Sequence, residues 1–343
     1  MSAPTSYRAP AWRGLNATEP IYESVDAQLS KNIVQALGSR GSLKRFADMG
    51  DASSVFLRLE APASQSLFLK VVSPDRGRIL SQAEDLARWL HGAAIPVVAS
   101  QRSCSLADGR QVWVYPFHTG RPPEAHVSEM AMIGEALGKL HGALKQHQLA
   151  DEWKLQTDSR MLRLMKTREA VAQGTLCAGP DAQGFQKIAS DRSIVLHPDM
   201  FVELGPRTPI HGDLNRFNML IDDNGCTFLD FEDVQHSVFP AMVDLVTVIE
   251  RVVFSSTETD THAPCIEAFL RAYRTERPDV DLDKGMQALP AIQRSIALRS
   301  LCTLAETDPS GLHVEEWSKF FALQSLADSA IVRNARERGT GTS

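Results

Sequence analysis

The chain has 343 residues, more than one hydrophobic core usually organises, so its length favours two lobes or domains. Its composition, 43% hydrophobic and 23% charged, is that of a globular protein and excludes a wholly disordered or fibrous chain. A formal charge of −6 provides no broad basic field for nucleic acid or anionic membranes, so neither is expected as a partner.

Cysteine usage and hydropathy favour a cytoplasmic protein. The five cysteines are widely spaced and form no CxxC pair, which predicts reduced thiols and no zinc site. Residues 1–20 contain no apolar run of signal-peptide length, and no stretch approaches the ~20 apolar residues of a transmembrane helix. We expect residues 1–25 to be a flexible leader.

The segment from about residue 46 to residue 115 is predicted to be rich in strands. Its strand candidates are short β-branched and aromatic runs bounded by turn residues, at 55–59, 67–72 and 112–115. One helix interrupts them, starting near Ser81 and running through Leu90. The pattern predicts a small β-rich N-terminal lobe over residues 26–116.

After residue 116 the pattern changes to helix. Five apolar residues recur at spacings of 3, 4, 3 and 4, which is one face of a long amphipathic helix: Met130, Ile133, Leu137, Leu140 and Leu144. Residues 151–200 and 241–335 also have mostly helical patterns. We therefore predict a larger helical C-terminal lobe over residues 117–335 and a tail at residues 336–343.

The most informative stretch is residues 210–233, which read IHGDLNRFNMLIDDNGCTFLDFED. Asn-Gly between two apolar runs predicts a β-hairpin, because both central residues of the tight turn need positive φ. With that Asn-Gly pair as the turn, counting outward places Asn218 opposite Phe231. Asn218 and Asp230 are therefore expected to meet at the open end of one hairpin.

These residue types at this spacing are typical of phosphoryl transfer. Carboxylate and amide oxygens suit Mg²⁺, which binds nucleotide phosphates, so Asn218 and Asp230 are candidate metal ligands. Asp213 lies five residues before Asn218 and is the candidate acceptor of the proton from an attacking hydroxyl group. Alone, each of these residues would be interpreted as a turn or cap residue, but their combination with the hairpin favours chemistry.

HGDLNRFNML followed by LDFED resembles the catalytic loop and metal motif of the aminoglycoside phosphotransferase and choline kinase superfamily. The resemblance covers about residues 46–305 and implies a bilobal, protein-kinase-like α+β fold. Gly212 and Glu232 differ from the arginine and glycine of protein kinases, which speaks against protein-kinase regulation. Asp244 matches an aspartate that supports the catalytic loop in this family, and His211 is interpreted as structural.

The resemblance also implies a nucleotide site in the N-terminal lobe. Lys70 matches the lysine that pairs with the α- and β-phosphates, and Glu84 matches its ion-pair partner, although Ser81 and Glu84 also fit a capping box. The phosphate loop corresponds to residues 49–55, with hydroxyl groups beside a single glycine. Further candidate nucleotide contacts are Gly50, Ser53 and Ser54 in this loop and Tyr115 and Phe117 at the adenine. The plainer alternatives are an edge-strand charge for Lys70, an ordinary turn for the loop around Gly50 and a linker for Tyr115 to Phe117.

These assignments predict an enzyme that transfers the γ-phosphoryl group of Mg-bound ATP or GTP to a hydroxyl group of a small molecule. Aminoglycoside-like, choline-like, homoserine-like, thiamine-like and sugar-like acceptors stay open. Acidic residues near the C-terminus are either candidates for binding a cationic acceptor or a solvated face: Glu306, Asp308, Glu315 and Glu316. Two alternatives are a Ser/Thr protein kinase of the aminoglycoside-kinase-like type and a non-catalytic nucleotide-binding module.

Overall fold

The computed structural model describes residues 22–39, 41–51, 54–60, 66–256 and 258–340. This part of the chain forms two compact units. The sheet unit comprises residues 22–123 and 216–232, and the helical unit comprises residues 124–215 and 233–340. The α+β class predicted from the sequence is confirmed.

The sheet unit is built on a six-stranded antiparallel sheet. Its strands are β1 (Tyr22–Glu23), β2 (Ser42–Asp51), β3 (Ser54–Glu60), β4 (Leu67–Val72), β5 (Arg102–Ser105) and β6 (Gln111–Pro116). They are arranged in the order β1-β2-β3-β4-β6-β5. The three predicted strand segments are confirmed as β3, β4 and β6. Two helices belong to this unit, α1 (Ala27–Leu37) and α2 (Pro74–Gly92), and the elements α1, β1, β2 and β5 were not predicted from the sequence.

Alternation along β4 decides which way Lys70 points. Leu69 and Val71 pack in one core cluster with the apolar residues of α1. Successive strand residues point to opposite faces, so Lys70 and Val72 lie on the other face, where Val72 packs with Leu80 of α2. Full burial of such side chains contributes ~1.5–3 kcal/mol each. The apolar pattern therefore holds the Lys70 side chain on the α2 side of the sheet.

Helix α2 begins at Pro74, well before the start predicted near Ser81. Proline is favoured in the first turn of a helix because the N–H group that it lacks has no partner there anyway. Ser81 and Glu84 therefore lie inside the helix, and the capping box that their spacing indicated is wrong. The buried Glu84 carboxylate needs a different explanation.

Helices form most of the helical unit. Its first part contains α3 (Val127–Leu144), α4 (Ala150–Ala172), α5 (Ala182–Ser190) and the short strand β7 (Thr208–Pro209). The five apolar residues that were predicted to share one face of a long helix are all fully buried on α3. The amphipathic pattern thus located this helix correctly.

The hairpin of residues 219–228 has a different turn from the predicted one. Its strands are β8 (Met219–Asp222) and β9 (Gly225–Phe228). Asp222 pairs with Gly225, so Asp223 and Asn224 form the turn. The Asn224 N–H donates to the Asp222 carboxylate at 2.7 Å, and the positive φ, 129°, falls on Gly225. The predicted register is wrong because the aspartate side chain closes the turn one residue earlier than Asn-Gly would.

Asn218 and Asp230 still flank the open end of this hairpin. The Leu229 N–H donates to the Asn218 carbonyl at 2.9 Å, which places Asn218 opposite the residue before Asp230. The hairpin also bonds to a segment of the sheet unit, where Arg121 and Ile221 exchange backbone hydrogen bonds of 3.0 and 2.7 Å. These bonds join the hairpin to the sheet unit, whereas the sequence analysis assigned it to the C-terminal lobe.

The second part of the helical unit starts with a short strand that pairs with β7. Its elements are β10 (Val238–Phe239), α6 (Met242–Val248), a π-helical turn (Ile249–Val253), α7 (His262–Glu276), α8 (Leu282–Gln287), α9 (Leu289–Thr307) and α10 (Val314–Thr340). Helices α3 and α7 approach so closely at Gly134 that a Cβ atom there would lie only 2.2 Å from the Phe269 carbonyl oxygen. Among the described residues, none of the helices combines the length and hydrophobicity that crossing a bilayer requires.

Candidate active site

Lys70 is buried in the sheet unit beside two carboxylates. The residue is only 6% exposed, and its ammonium lies 3.4 Å from Asp230 Oδ2 and donates to Glu232. Burial opposes the charged form, but Asp230 and Glu232 outweigh it and raise the pKa of Lys70 above its ordinary value. Lys70 is therefore a fixed cation at neutral pH.

Glu84 does not pair with Lys70. Its buried carboxylate accepts the Tyr115 hydroxyl and the Ser100 N–H, the latter at 2.9 Å. The expected Lys70–Glu84 ion pair is wrong because these two donors bind Glu84 and Glu232 lies against the lysine instead. Burial, together with the Glu84 carboxylate, raises the pKa of the Tyr115 hydroxyl well above its usual range. The Tyr115 hydroxyl therefore remains a hydrogen-bond donor to Glu84.

Arg76 is a second cation beside Glu232, and the sequence analysis missed it. Its guanidinium donates to Glu232 Oε2 and to Ser54 Oγ, both at 2.7 Å. Glu232 thus bridges Lys70 and Arg76. The signal that indicates Arg76 is its place in the first turn of α2, where the helix dipole disfavours cations unless another partner holds them.

The described residues of the predicted phosphate loop lie at the end of β2 and the start of β3. Gly50 pairs with Val55 in the ladder between these strands. Ser54 is 3% exposed, and its hydroxyl accepts the hydrogen bond from Arg76. Ser53 lies outside the described residues. The roles of Gly50, Ser53 and Ser54 toward phosphate stay predictions.

The predicted adenine contacts lie at the end of β6. Tyr115 pairs with Phe68 in the sheet, and the Phe117 N–H donates to the Ser66 carbonyl at 3.1 Å. The backbone N–H of Phe117 therefore already has a hydrogen-bond acceptor within the sheet unit. Contacts of Tyr115 and Phe117 with a nucleotide base stay predictions.

Asp230 and Asn218 offer the oxygen atoms that a hard cation prefers. Asp230 has a φ of +58°, rare for a residue other than glycine, and its side chain is 40% exposed. The described residues contain no group of three or more His, Cys, Asp or Glu side chains placed to hold a metal. One carboxylate and one amide oxygen nevertheless fit Mg²⁺, which commonly takes one or two carboxylates beside waters and substrate phosphates.

Asp244 binds the backbone of the predicted catalytic loop in the helical unit. Its fully buried carboxylate accepts the N–H groups of His211 at 2.8 Å and of Gly212 at 3.0 Å. Burial alone would raise the pKa of this carboxyl, but His141, His211 and the Gly212 N–H lower it below its ordinary value. The supporting role that the sequence analysis assigned to Asp244 is confirmed.

His141 extends this network and was also missed. It is fully buried on α3, with Nε2 3.1 Å from Asp244 Oδ2 and Nδ1 2.9 Å from the Tyr273 hydroxyl. A carboxylate can only accept, so Nε2 donates to Asp244, while Nδ1 shares a hydrogen bond with the Tyr273 hydroxyl. The sequence signal is a histidine on the otherwise apolar face of an amphipathic helix.

Gly212 is required by the shape of the catalytic loop. Its φ is +84°, and a Cβ atom at this position would lie 2.1 Å from Ser237 Oγ. A side chain here would meet both backbone strain and a collision. This explains why the loop reads HGD where protein kinases have HRD.

Asp213 lies directly after this glycine and is exposed. Its N–H donates weakly to His211 Nδ1 at 3.4 Å, and Asn215 Nδ2 donates to its carboxylate at 3.1 Å. His211 is fully buried, in agreement with its predicted structural role. Within the helical unit, these contacts orient an exposed carboxylate that is able to accept a proton.

A family model described as "Phosphotransferase enzyme family" matches residues 43–283, well over half of the chain. The chain belongs to this family. It is accordingly an enzyme of the kinase type that transfers phosphoryl groups, and the resemblance inferred from the catalytic-loop motif is confirmed. A comparison of the phosphotransferase with curated proteins gave no match.

Solved structures share the fold of this phosphotransferase at low sequence identity. APH(2")-IIia, solved with GDP and kanamycin, has a TM-score of 0.62 and 15% identity over 89% of this chain and 99% of its own. Amicoumacin kinase hAmiN, solved with AMP-PNP, Ca²⁺ and Ami, has a TM-score of 0.59 and 16% identity over 89% and 94%. APH(3'')-Id from Streptomyces rimosus has a TM-score of 0.52 and 15% identity over 79% and 99%. The expected protein-kinase-like fold is confirmed.

Proposed function

We propose that the enzyme transfers the γ-phosphoryl group of ATP or GTP to a hydroxyl group of a small molecule. The observation that carries this proposal is the buried Lys70 ammonium held beside the Asp230 carboxylate. Phosphoryl-transfer enzymes work by positioning and by electrostatic stabilisation, and a fixed cation beside a metal-binding carboxylate supplies both.

The sheet unit would bind the nucleotide, which corresponds to the predicted lobe of residues 26–116. Lys70 binds phosphate oxygens, and Glu232 orients it, since Glu232 is its closest partner. Asp230 and Asn218 hold Mg²⁺, which when bound neutralises the charge of the phosphates.

The helical unit would activate the acceptor, which corresponds to the predicted lobe of residues 117–335. The Asp213 carboxylate orients the acceptor hydroxyl and takes its proton as the oxygen attacks the γ-phosphorus, while the bond from this phosphorus to the bridging oxygen breaks and the nucleoside diphosphate leaves. Asp244 keeps the preceding peptide groups in place through the N–H groups of His211 and Gly212. Precise placement of the base matters because misalignment of ~1 Å can cost ~10²-fold in rate.

Calorimetric titration with ATP and GTP, with and without Mg²⁺, tests this function. We expect Mg-dependent binding that Lys70→Met and Asp230→Ala each weaken at least ~tenfold, together with loss of turnover in Asp230→Ala. Lys44→Met and Asp108→Ala are the matched controls, since both residues form ion pairs at the surface of the same unit. Binding that needs neither Mg²⁺ nor Asp230 would contradict the proposal.

A further inference from the structure

Arg299 is a half-buried cation in the helical unit whose guanidinium forms no hydrogen bond or ion pair within the described part of the chain. It lies on α9, and its guanidinium carbon lies 5.5 Å from the centroid of the Phe239 ring. A cation–π contact leaves the five N–H donors of the guanidinium without acceptors. Half-buried donors of this kind favour binding of an additional acceptor group.

Other buried or half-buried arginines of the same unit have carboxylate or carbonyl partners. The described pairs are Arg160 with Asp233, Arg207 with Asp158, Arg251 with Glu250, Arg277 with Asp279, Arg294 with Asp191 and Arg168 with backbone carbonyls. The fold therefore supplies counterions where an arginine is structural. Arg299 differs from this pattern.

The place of Arg299 in the fold is beside the catalytic loop. Phe239, which Arg299 covers, pairs with Thr208, and the adjacent Ser237 carbonyl accepts the Ile210 N–H at 2.9 Å. Ile210 leads directly into the HGD segment. Burial, together with the Arg160 cation, lowers the pKa of Arg299 to about 10, and the carboxylates of Asp233, Asp244 and Asp213 act against this shift. Arg299 thus remains charged at neutral pH, within electrostatic range of the proposed base.

The carboxylates of this region are already engaged. Asp233 is bonded to Arg160 and Asp244 to the loop backbone, so neither needs Arg299. The acidic residues that the sequence analysis considered for a cationic acceptor also have partners in three of four cases: Glu306 with Arg163, Asp308 with Trp317, and Glu316 with Lys319. The pattern favours an acceptor that brings negative charge.

We propose that Arg299 binds a carboxylate or phosphate group of the acceptor whose hydroxyl group is phosphorylated. The inference rests on the proposed function and names the substrate class as small anionic hydroxy compounds. The planar guanidinium matches two oxygen atoms of either group in a bidentate arrangement. A polycationic acceptor would instead place like charge against Arg299.

Transfer from γ-labelled ATP to a charge-matched panel tests this assignment. The panel contains glycerate with a carboxylate, glycerol 3-phosphate with a phosphate, neutral glycerol and glyceramide, and cationic choline and kanamycin. We expect transfer to an anionic member, and Arg299→Gln should raise its KM at least ~tenfold with kcat changed less than about threefold. Carboxylate and phosphate preferences separate the two anionic groups.

Two further variants make the result specific. Arg299→Lys keeps the positive charge but loses the planar guanidinium that can bind two oxygen atoms at once. The KM of this variant should therefore lie between those of the wild type and Arg299→Gln. Arg192→Gln removes an exposed guanidinium that pairs with Glu169 and should leave KM unchanged. Thermal unfolding checks that each variant is folded, and if Arg299→Gln does not fold, Arg299→Lys carries the test.

Transfer only to neutral or cationic members, no transfer to any anion, or an unchanged KM in the Arg299 variants would overturn the assignment. Calorimetric binding of Mg-ATP on the same samples separates this failure from failure of the proposed function. Binding that depends on Asp230 without transfer to anions rejects only the role of Arg299. Absence of Mg-nucleotide binding rejects the phosphotransfer proposal itself.

Discussion

The Lys70 ammonium donates to the carboxylate of Glu232, a residue 162 positions later in the chain. Glu232 also accepts from Arg76, so one carboxylate orients two cations in the sheet unit. Glu84, which by family resemblance would pair with Lys70, instead accepts from Tyr115 and Ser100. Glu232 therefore contacts the two cations, whereas Glu84 forms buried hydrogen bonds within the sheet unit.

Glu232→Gln should mainly lower the catalytic efficiency, whereas Glu84→Gln should mainly lower the stability. Glu232→Gln removes the charge that orients Lys70, so kcat/KM for the nucleotide should fall at least ~tenfold with little change in Tm. Glu84→Gln disturbs two buried hydrogen bonds and should cost about 1–3 kcal/mol of stability, with kcat/KM changed less than about threefold. Steady-state kinetics and thermal unfolding of both variants measure these effects. A larger kinetic loss in Glu84→Gln than in Glu232→Gln would restore Glu84 as the partner of Lys70.

Asp213→Asn should separate nucleotide binding from chemistry. The amide keeps the shape of the side chain but cannot take the proton of the acceptor, so transfer should fall by at least ~10²-fold. Affinity for Mg-nucleotide should change little. Calorimetry and transfer kinetics measure the two effects, and Asp223→Asn in the exposed hairpin turn is the control. Full transfer by Asp213→Asn would remove this residue from the mechanism.

Asp244→Asn should destabilise the helical unit in a pH-dependent way. Asparagine keeps one acceptor oxygen, but its amide nitrogen cannot accept from the other of the two N–H groups of His211 and Gly212, which should cost about 1–3 kcal/mol at neutral pH. The folded-state pKa of Asp244 is lowered, so its stabilisation is present above the unfolded-state value of about 4 and disappears as pH falls through the folded-state pKa. Denaturant unfolding between about pH 7 and pH 3 should show the two proteins converging in acid. A constant difference across this range would contradict the ionised role of Asp244.

Gly212→Ala should cost more than the same change at Gly109. Both glycines have a φ of +84°, so both substitutions carry backbone strain of about 1 kcal/mol. Only Gly212 adds a collision, since its Cβ would lie 2.1 Å from Ser237 Oγ, whereas the nearest atom at Gly109 is 3.4 Å away. We expect Gly212→Ala to lower both Tm and transfer rate beyond the Gly109→Ala control. Equal losses of Tm would show that φ alone requires glycine.

Local patterns in the sequence were enough to predict several secondary-structure elements and the candidate site residues. Short β-branched and aromatic runs bounded by turn residues located β3, β4 and β6, and the spacing of apolar residues located α3, because these signals act within each element. The HGD and DFED motifs predict roles for Asp213, Asn218 and Asp230, since these residues lie close together along the chain, and they pointed to Asp244, whose contacts with the loop backbone the structure shows. Such signals need no knowledge of distant contacts.

Tertiary structure decided which charges meet. The Asp222 side chain closes the hairpin turn one residue early and so changes the register that counting predicted. The pairing of Lys70 with Glu232 joins residues 162 positions apart, which no local period encodes. Arg299 becomes distinctive only because the carboxylates around it already have partners. Charge pairing depends on which side chains reach one another after packing, and that competition exists only in the folded chain.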